Sequence, residues 1–109
     1  MAFDEKLAAR IRAQIGKRKG VAEKQMFGGI AFLVNGNMSC GVHDNEMIVR
    51  LDPAETGKAL SRKHTRVFDL SGRPMKGWIL VGTDGLKADA ALAKWVDVGV
   101  GYAASLPAK

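Results

Sequence analysis

Cysteine and long apolar runs are scarce in this chain of 109 residues, and each scarcity excludes a class of protein. The single cysteine, Cys40, cannot form a disulfide within the chain, so the fold does not depend on an oxidising compartment. The longest run without a polar side chain, residues 26–34, is about half of the roughly 20 residues that a membrane-spanning helix needs. The N-terminus has acids at positions 4 and 5, and no apolar run follows a basic start, so no signal peptide is visible. We therefore expect a soluble, cytoplasmic protein with no membrane partner.

The composition is that of one ordinary folded domain. Hydrophobic residues make up 47% of the chain and charged residues 26%, which is typical of soluble globular proteins and excludes intrinsic disorder. A chain of this length buries roughly two-thirds of its unfolded surface. Since no repeat or linker interrupts it, we expect a single domain over residues 1–109.

Positive charge exceeds negative charge, and the excess is concentrated in two segments. The chain has 17 Lys and Arg against 11 Asp and Glu, a formal net charge of +6. Residues 1–24 carry seven bases and three acids, and residues 61–76 carry five bases and one acid. If the fold joins these segments, the resulting patch attracts nucleic-acid phosphates or acidic proteins; the alternative is that the charge serves solubility. The candidate basic patch consists of Lys17, Arg18, Lys19, Arg62, Lys63, Arg66, Arg73 and Lys76.

Three helices are predicted, at the two ends and in the middle of the chain. Asp4 is a suitable N-cap for a helix over residues 4–15, and a capping-box pattern opens a short helix over residues 52–60. The last helix is expected over residues 87–106, where apolar residues recur at helical spacing. Gly99 lies within that apolar stripe, which indicates close packing of this helix against a sheet.

The Asn-Gly pair at residues 35–36 predicts a two-residue hairpin turn. That turn sets Leu33 opposite Met38 and Ala31 opposite Cys40. A second hairpin is predicted at residues 44–45, which sets Cys40 opposite Val49 and Met38 opposite Leu51. The two hairpins agree on one core face, formed by Met38, Cys40 and Val42.

The opposite face of these strands would carry Ile30, Phe32, Val34 and Ile48. Such a face is too apolar to be exposed to solvent, so either another part of the chain covers it or a second molecule does. The second case predicts a protein-interaction surface for a partner protein or a second copy in a homodimer. Its candidate residues are Ile30, Phe32, Ile48 and Arg50.

Two further strands are expected after the short middle helix. Residues 67–70 and 75–81 have strand character and are separated by a turn at residues 71–74; the second strand is apolar on both faces, which suits a central position. The order of helices and strands predicts an α+β, two-layer domain with a mainly antiparallel sheet.

Residues able to perform nucleophilic or metal chemistry are few. Cys40 falls on the predicted core face, and a strand directs Cys40 and His43 to opposite faces. With His64 as the one further histidine, the set falls short of a zinc site. We predict no catalytic, cofactor-binding or metal-binding residues, no cofactor, and a protein that is not an enzyme.

Three short motifs in order resemble the TfoX (Sxy) N-terminal domain family. They are KQMFGGIAF at residues 24–32, NGNM at residues 35–38 and GRPMKGW at residues 72–78. The resemblance extends over nearly the whole chain, through the Ala-rich closing helix that ends in SLP at residues 105–107.

The resemblance implies a two-layer α/β sandwich in which helices flank a mainly antiparallel sheet, grouped with secretion-chaperone-like folds. Full-length TfoX proteins are bacterial regulators of natural competence, held to help a cyclic-AMP receptor protein act at particular promoters. They carry a second, C-terminal domain. Because the resemblance to the N-terminal domain takes up nearly all 109 residues of this chain, we expect a stand-alone, single-domain member. The expected function is that of a non-enzymatic regulatory or adaptor module acting through protein–protein interaction. The alternative is a transcriptional regulator that binds nucleic-acid backbone through the basic segments.

Overall fold

Six antiparallel strands and three helices make up the fold, in a computed structural model that describes residues 3–16, 18–26, 28–69 and 75–108. The helices are α1 (Glu5–Ile15), α2 (Thr56–Leu60) and α3 (Asp89–Ser105). The strands are β1 (Val21–Met26), β2 (Gly29–Val34), β3 (Asn37–His43), β4 (Glu46–Arg50), β5 (Thr65–Val67) and β6 (Trp78–Val81). Single turns of 3₁₀ helix lie at Pro53–Glu55 and Thr83–Leu86. The predicted α+β class is confirmed.

The strands form one sheet in the order β1-β2-β3-β4-β6-β5. The central position predicted for the strand ending at residue 81 is confirmed, because β6 lies between β4 and β5. Strand β5 begins and ends earlier than the predicted strand over residues 67–70, whose last residue lies outside the described residues, as does the predicted turn at 71–74. Strand β1 was not predicted, since its exposed polar side chains at positions 23–25 lack an apolar alternation.

Helix α1 begins as the sequence predicts. The Asp4 carboxylate accepts hydrogen bonds from the backbone N–H groups of Lys6 and Leu7, at 2.9 and 3.1 Å. These bonds satisfy two of the N–H groups that the first helical turn leaves without partners. Leu7, Ile11 and Ile15 are buried against the sheet, so the predicted apolar face is the one that packs.

Helix α3 lies across β3 and β4, and its closest approach to the sheet is at Gly99. A Cβ atom added there would collide with the backbone carbonyl oxygen of Ser39, at less than the 3.0 Å that real Cβ contacts respect. The close packing predicted for Gly99 is therefore confirmed, and its contact is the third residue of β3.

The predicted turns of both hairpins are confirmed, but a β-bulge changes the register between β2 and β3. Leu33 lies opposite Met38 as predicted, whereas Cys40 lies opposite Phe32 and not opposite Ala31. Ser39 is the extra residue in β3, and its hydroxyl donates a hydrogen bond of 2.8 Å to the Phe32 carbonyl oxygen. One extra residue reverses the alternation of side chains between the two faces of a strand.

The bulge corrects the predicted core face. Ile30 and Phe32 share the helix-covered face with Cys40, whereas Met38 is on the second face of the sheet. Phe32 is 1% exposed and packs in the main core under α1 and α3. Ile30 and Phe32 therefore cannot form a protein-interaction surface with Ile48, which lies on the other side of the sheet.

The second face is covered by this chain. A small cluster of buried side chains lies on it: Ala31, Met38, Ile48, Phe68 and Leu80. Phe68 follows β5 and returns over the sheet, with its ring centroid 5.6 Å from that of Trp78. Of the two explanations left open for the apolar face, cover by the chain itself is the one observed for Ile48.

Candidate functional site

Arg50 is the one member of the predicted interaction surface that remains accessible, and it contacts Tyr102, a residue of the candidate site. Its guanidinium carbon lies 5.2 Å from the ring centroid of Trp78 and 5.6 Å from that of Tyr102. Both distances are within the range of cation–π attraction. Because Trp78 is on β6 and Tyr102 on α3, Arg50 holds the C-terminal half of α3 to the end of the sheet.

Beside Tyr102, a groove of about 340 Å³ runs between α3 and the segment that contains α2. It is defined by the following residues: Leu51, Asp52, Glu55, Lys58, Ala59, Arg62, Trp95, Val98 and Tyr102. The name α2–α3 groove is used for this set below. The groove is open to solvent along the outside of the molecule, and its residues come from two parts of the chain about 40 positions apart.

Local sequence explains how the α2 side of the groove is built. Asp52 caps the 3₁₀ turn, with its carboxylate 2.9 Å from the backbone nitrogen of Ala54, and Pro53 occupies the first helical position. The buried Thr56 hydroxyl accepts a 2.7 Å hydrogen bond from the backbone N–H of Gly77. The backbone N–H of Leu51 donates to the carbonyl oxygen of the same glycine, at 2.9 Å. These bonds fix the wall of the groove to the start of β6.

The floor of the groove is apolar. Trp95 is 6% exposed, and Leu51 and Ala59 are also buried. Val98 and Tyr102 are half-buried and continue the floor along α3. Trp95 and Tyr102 are seven residues apart on this helix, which corresponds to about 10 Å at a rise of about 1.5 Å per residue.

The rim of the groove is charged, and the two signs are separated along its length. Arg62 lies at one end, with its guanidinium carbon 4.9 Å above the Trp95 ring centroid. Lys58 is one turn before it on the same wall. Asp52 and Glu55 begin that wall at the other end, two and five residues after Arg50, whose guanidinium carbon lies 5.6 Å from the Tyr102 ring centroid. All four rim residues are exposed, so one end of the rim has two bases and the other has two acids that follow Arg50.

Two arginines of the basic segments, Arg18 and Arg66, are paired with carboxylates. Arg18 is ion-paired with Asp97 of α3 at 2.9 Å, before the edge strand β1. Arg66, on the opposite edge strand β5, makes two hydrogen bonds to the Glu46 carboxylate, at 2.8 and 2.6 Å. Two basic groups of the candidate patch are therefore bound by carboxylates. The Arg18 partner, Asp97, is on α3 two residues from Trp95, whose ring Arg62 covers.

Three other residues of the candidate patch are exposed. Lys19 is exposed beside β1, and Lys63 is exposed just before β5. Lys76 is exposed at the turn that precedes β6. Lys17 and Arg73 lie outside the described residues.

The three residues considered for chemistry do not converge. Cys40 is fully buried, as its predicted place on the core face implies, and desolvation raises the pKa of its thiol to about 12. His43 is half-buried and His64 exposed, and neither lines the α2–α3 groove. Within the described parts of the chain, no group of three or more His, Cys, Asp or Glu residues is placed to hold a metal ion.

The groove could not be located from the sequence. Trp95 and Tyr102 lie in the apolar stripe predicted for the last helix, and that pattern alone indicates burial. Arg62 was predicted as part of a candidate basic patch, and the sequence does not show that it covers Trp95. The signal that could have suggested a site is the spacing of charged residues at 52, 55, 58 and 62, which places them along one side of a helical segment.

None of the helices in the described ranges combines the length and the apolar character needed to cross a membrane.

Comparison with known proteins gives a match to a protein family. No curated protein and no solved structure matches the chain. The model of the TfoX N-terminal domain family matches residues 13–103, in agreement with the resemblance carried by the three short motifs. Because this match covers most of the 109 residues, the chain belongs to the TfoX N-terminal domain family.

Proposed function

We propose that this chain is a non-enzymatic regulatory or adaptor module that holds an apolar segment of a partner protein in the α2–α3 groove. The observation that carries the proposal is the composition of the groove. A buried tryptophan and a half-buried tyrosine form part of its apolar floor, and an arginine covers the tryptophan. Trp, Tyr and Arg are the residues most enriched in the energetic centres of protein interfaces. Membership of the TfoX N-terminal domain family supports a regulatory role, since full-length TfoX proteins are regulators.

A protein partner explains the charges better than a nucleic acid does. Phosphate binding through Arg18 or Arg66 would have to compete with the carboxylates of Asp97 and Glu46. The carboxylate that binds Arg18 is on α3, whereas Arg66 and its partner Glu46 are on the strands β5 and β4. The α2–α3 groove, in contrast, offers apolar surface together with both signs of charge.

The test is a peptide selection with a groove variant and a matched control. Peptides selected from a random 12-residue library on the purified protein should lose at least tenfold in affinity for Tyr102→Ala, which removes the half-buried aromatic ring of the floor. Lys94→Ala, an exposed change on the same helix outside the groove, should leave their affinity unchanged. Circular dichroism must show that both variants are folded.

The same protein is titrated with duplex DNA at two salt concentrations. DNA binding that survives physiological salt, with a slope that indicates several released counterions, would favour the nucleic-acid alternative. Selected peptides that bind Tyr102→Ala as well as the unchanged protein would refute the groove as the binding site.

A further inference from the structure

The separation of charge along the α2–α3 groove indicates which kind of segment it accepts. Resting on the proposed function, we infer that the occupant is an amphipathic helix of a different protein with charges of opposite sign at its two ends. Its basic end lies against Asp52 and Glu55, and its acidic end lies against Lys58 and Arg62. Between these ends, an apolar stripe about two turns long covers Val98.

The length of the floor sets the length of the stripe. Trp95 and Tyr102 are about 10 Å apart along α3, and Arg62 covers the Trp95 ring, so a helix lying in the groove meets Val98, Tyr102 and the Arg62 side chain over about two turns. Helical segments bind such grooves through apolar residues at positions i, i+3 or i+4, and i+7. A shorter stripe would leave part of the floor in contact with water.

The charges on the rim of the groove determine which charged residues the bound helix carries on either side of its apolar stripe. Asp52 and Glu55 are exposed at one end, and Lys58 and Arg62 are exposed at the other. With Arg50 counted at the first end, that end has a net charge of −1 and the second has +2, so each end attracts the opposite charge. A segment with one sign of charge at both ends meets attraction at one end and repulsion at the other. Exposed charges of this kind contribute more to specificity and association rate than to affinity.

A second copy of this chain does not supply such a helix. Helix α1 follows the acids at positions 4 and 5 and precedes the bases at 18 and 19, but its apolar residues Leu7, Ile11 and Ile15 are buried in the chain's own core. Among the described residues, Met75 is the one large hydrophobic side chain that is exposed, at 38%. A single exposed methionine does not make a stripe of two turns, so the occupant belongs to another protein.

The experiment compares three designed 15-residue helical peptides that share one apolar stripe. The first carries lysines at one end and glutamates at the other, the second glutamates at both ends, and the third lysines at both ends. Fluorescence polarisation at low ionic strength should give the first peptide about tenfold tighter binding than either of the others. The advantage should shrink as salt screens the exposed charges.

A charge variant of the protein tests the same point from the other side. Lys58→Glu makes the basic end of the groove more acidic and should shift the preference toward the peptide with lysines at both ends. Lys94→Glu makes the same change of charge on α3 outside the groove and should leave the ranking of the peptides unchanged.

The outcomes separate this inference from the proposed function. Equal binding of all three peptides, lost in Tyr102→Ala, overturns the charge rule and leaves the groove as a docking site. Binding of none of them to the folded protein overturns the helical occupant, and the library selection then decides the proposed function independently. Self-association that light scattering detects and that Tyr102→Ala abolishes overturns the assignment to a different protein.

Discussion

Replacing Gly99 with alanine tests how closely α3 packs on the sheet. Two effects of opposite sign operate at this position. Alanine favours a helix over glycine by about 1 kcal/mol, which would stabilise the protein. The added Cβ, however, collides with the backbone carbonyl oxygen of Ser39, and overpacking typically costs about 1–3 kcal/mol.

The collision is the larger effect because of the kind of atom involved. A flexible side chain could rotate away, but the Ser39 carbonyl belongs to the backbone of β3 between two paired strands. We therefore take the upper part of the overpacking range and expect Gly99→Ala to lower the free energy of unfolding by about 2 kcal/mol. For a domain of this size that corresponds to a melting temperature lower by about 10 °C.

Gly101 provides a matched control on the same helix. It is exposed, and a Cβ added there meets no atom within 4 Å. Gly101→Ala should therefore stabilise the protein by about 1 kcal/mol, so the two variants should differ by about 3 kcal/mol. Urea unfolding followed by circular dichroism gives both values if the m-value is unchanged. Equal stabilisation by both substitutions would refute the close contact between α3 and the bulge.

Three other predictions follow from the core and from one ion pair. Phe32→Ala should lower the free energy of unfolding by about 3–5 kcal/mol in urea titrations. A far smaller decrease would indicate that the Phe32 ring is exposed on the surface of the sheet. Cys40, with its pKa raised to about 12 by desolvation, should react with a thiol reagent at pH 8 only on unfolding; rapid labelling of the native protein would contradict this. Arg12, 2.6 and 2.8 Å from the Glu23 carboxylate oxygens, holds the pKa of Glu23 below its ordinary 4.5, so this pair stabilises the fold above about pH 4.5 and its contribution is lost as the pH falls through the lower folded pKa. Glu23→Gln should therefore flatten the fall of the urea midpoint between pH 6 and 3, and an unchanged slope would count against the pair.

Features decided by neighbouring residues could be predicted from the sequence. The Asp4 cap begins α1, and the two hairpin turns at residues 35–36 and 44–45 lie where they were expected. Each depends on the backbone preferences and hydrogen bonds of residues within four positions of one another, which the sequence displays directly. The family resemblance could be predicted as well, because it rests on short motifs in a set order.

The face on which a strand residue lies was decided by tertiary structure. Ser39 is an ordinary strand residue in the sequence, and nothing next to it marks a bulge. At the bulge, Ser39 donates a hydrogen bond to the Phe32 carbonyl oxygen, and its own carbonyl oxygen lies against Gly99 of a helix 60 positions later. Because a one-residue slip exchanges the two faces, the bulge overturned the predicted interaction surface.

The candidate site was likewise beyond what the sequence shows. The α2–α3 groove joins residues 51–62 to residues 95–102, and Arg62 from the first segment covers Trp95 from the second. By itself, the sequence determined the helices, the turns and the family, all of which follow from local preferences or from motif order. Only the tertiary structure decided which apolar residues were covered and which charges shared a rim, since both depend on how distant segments pack together.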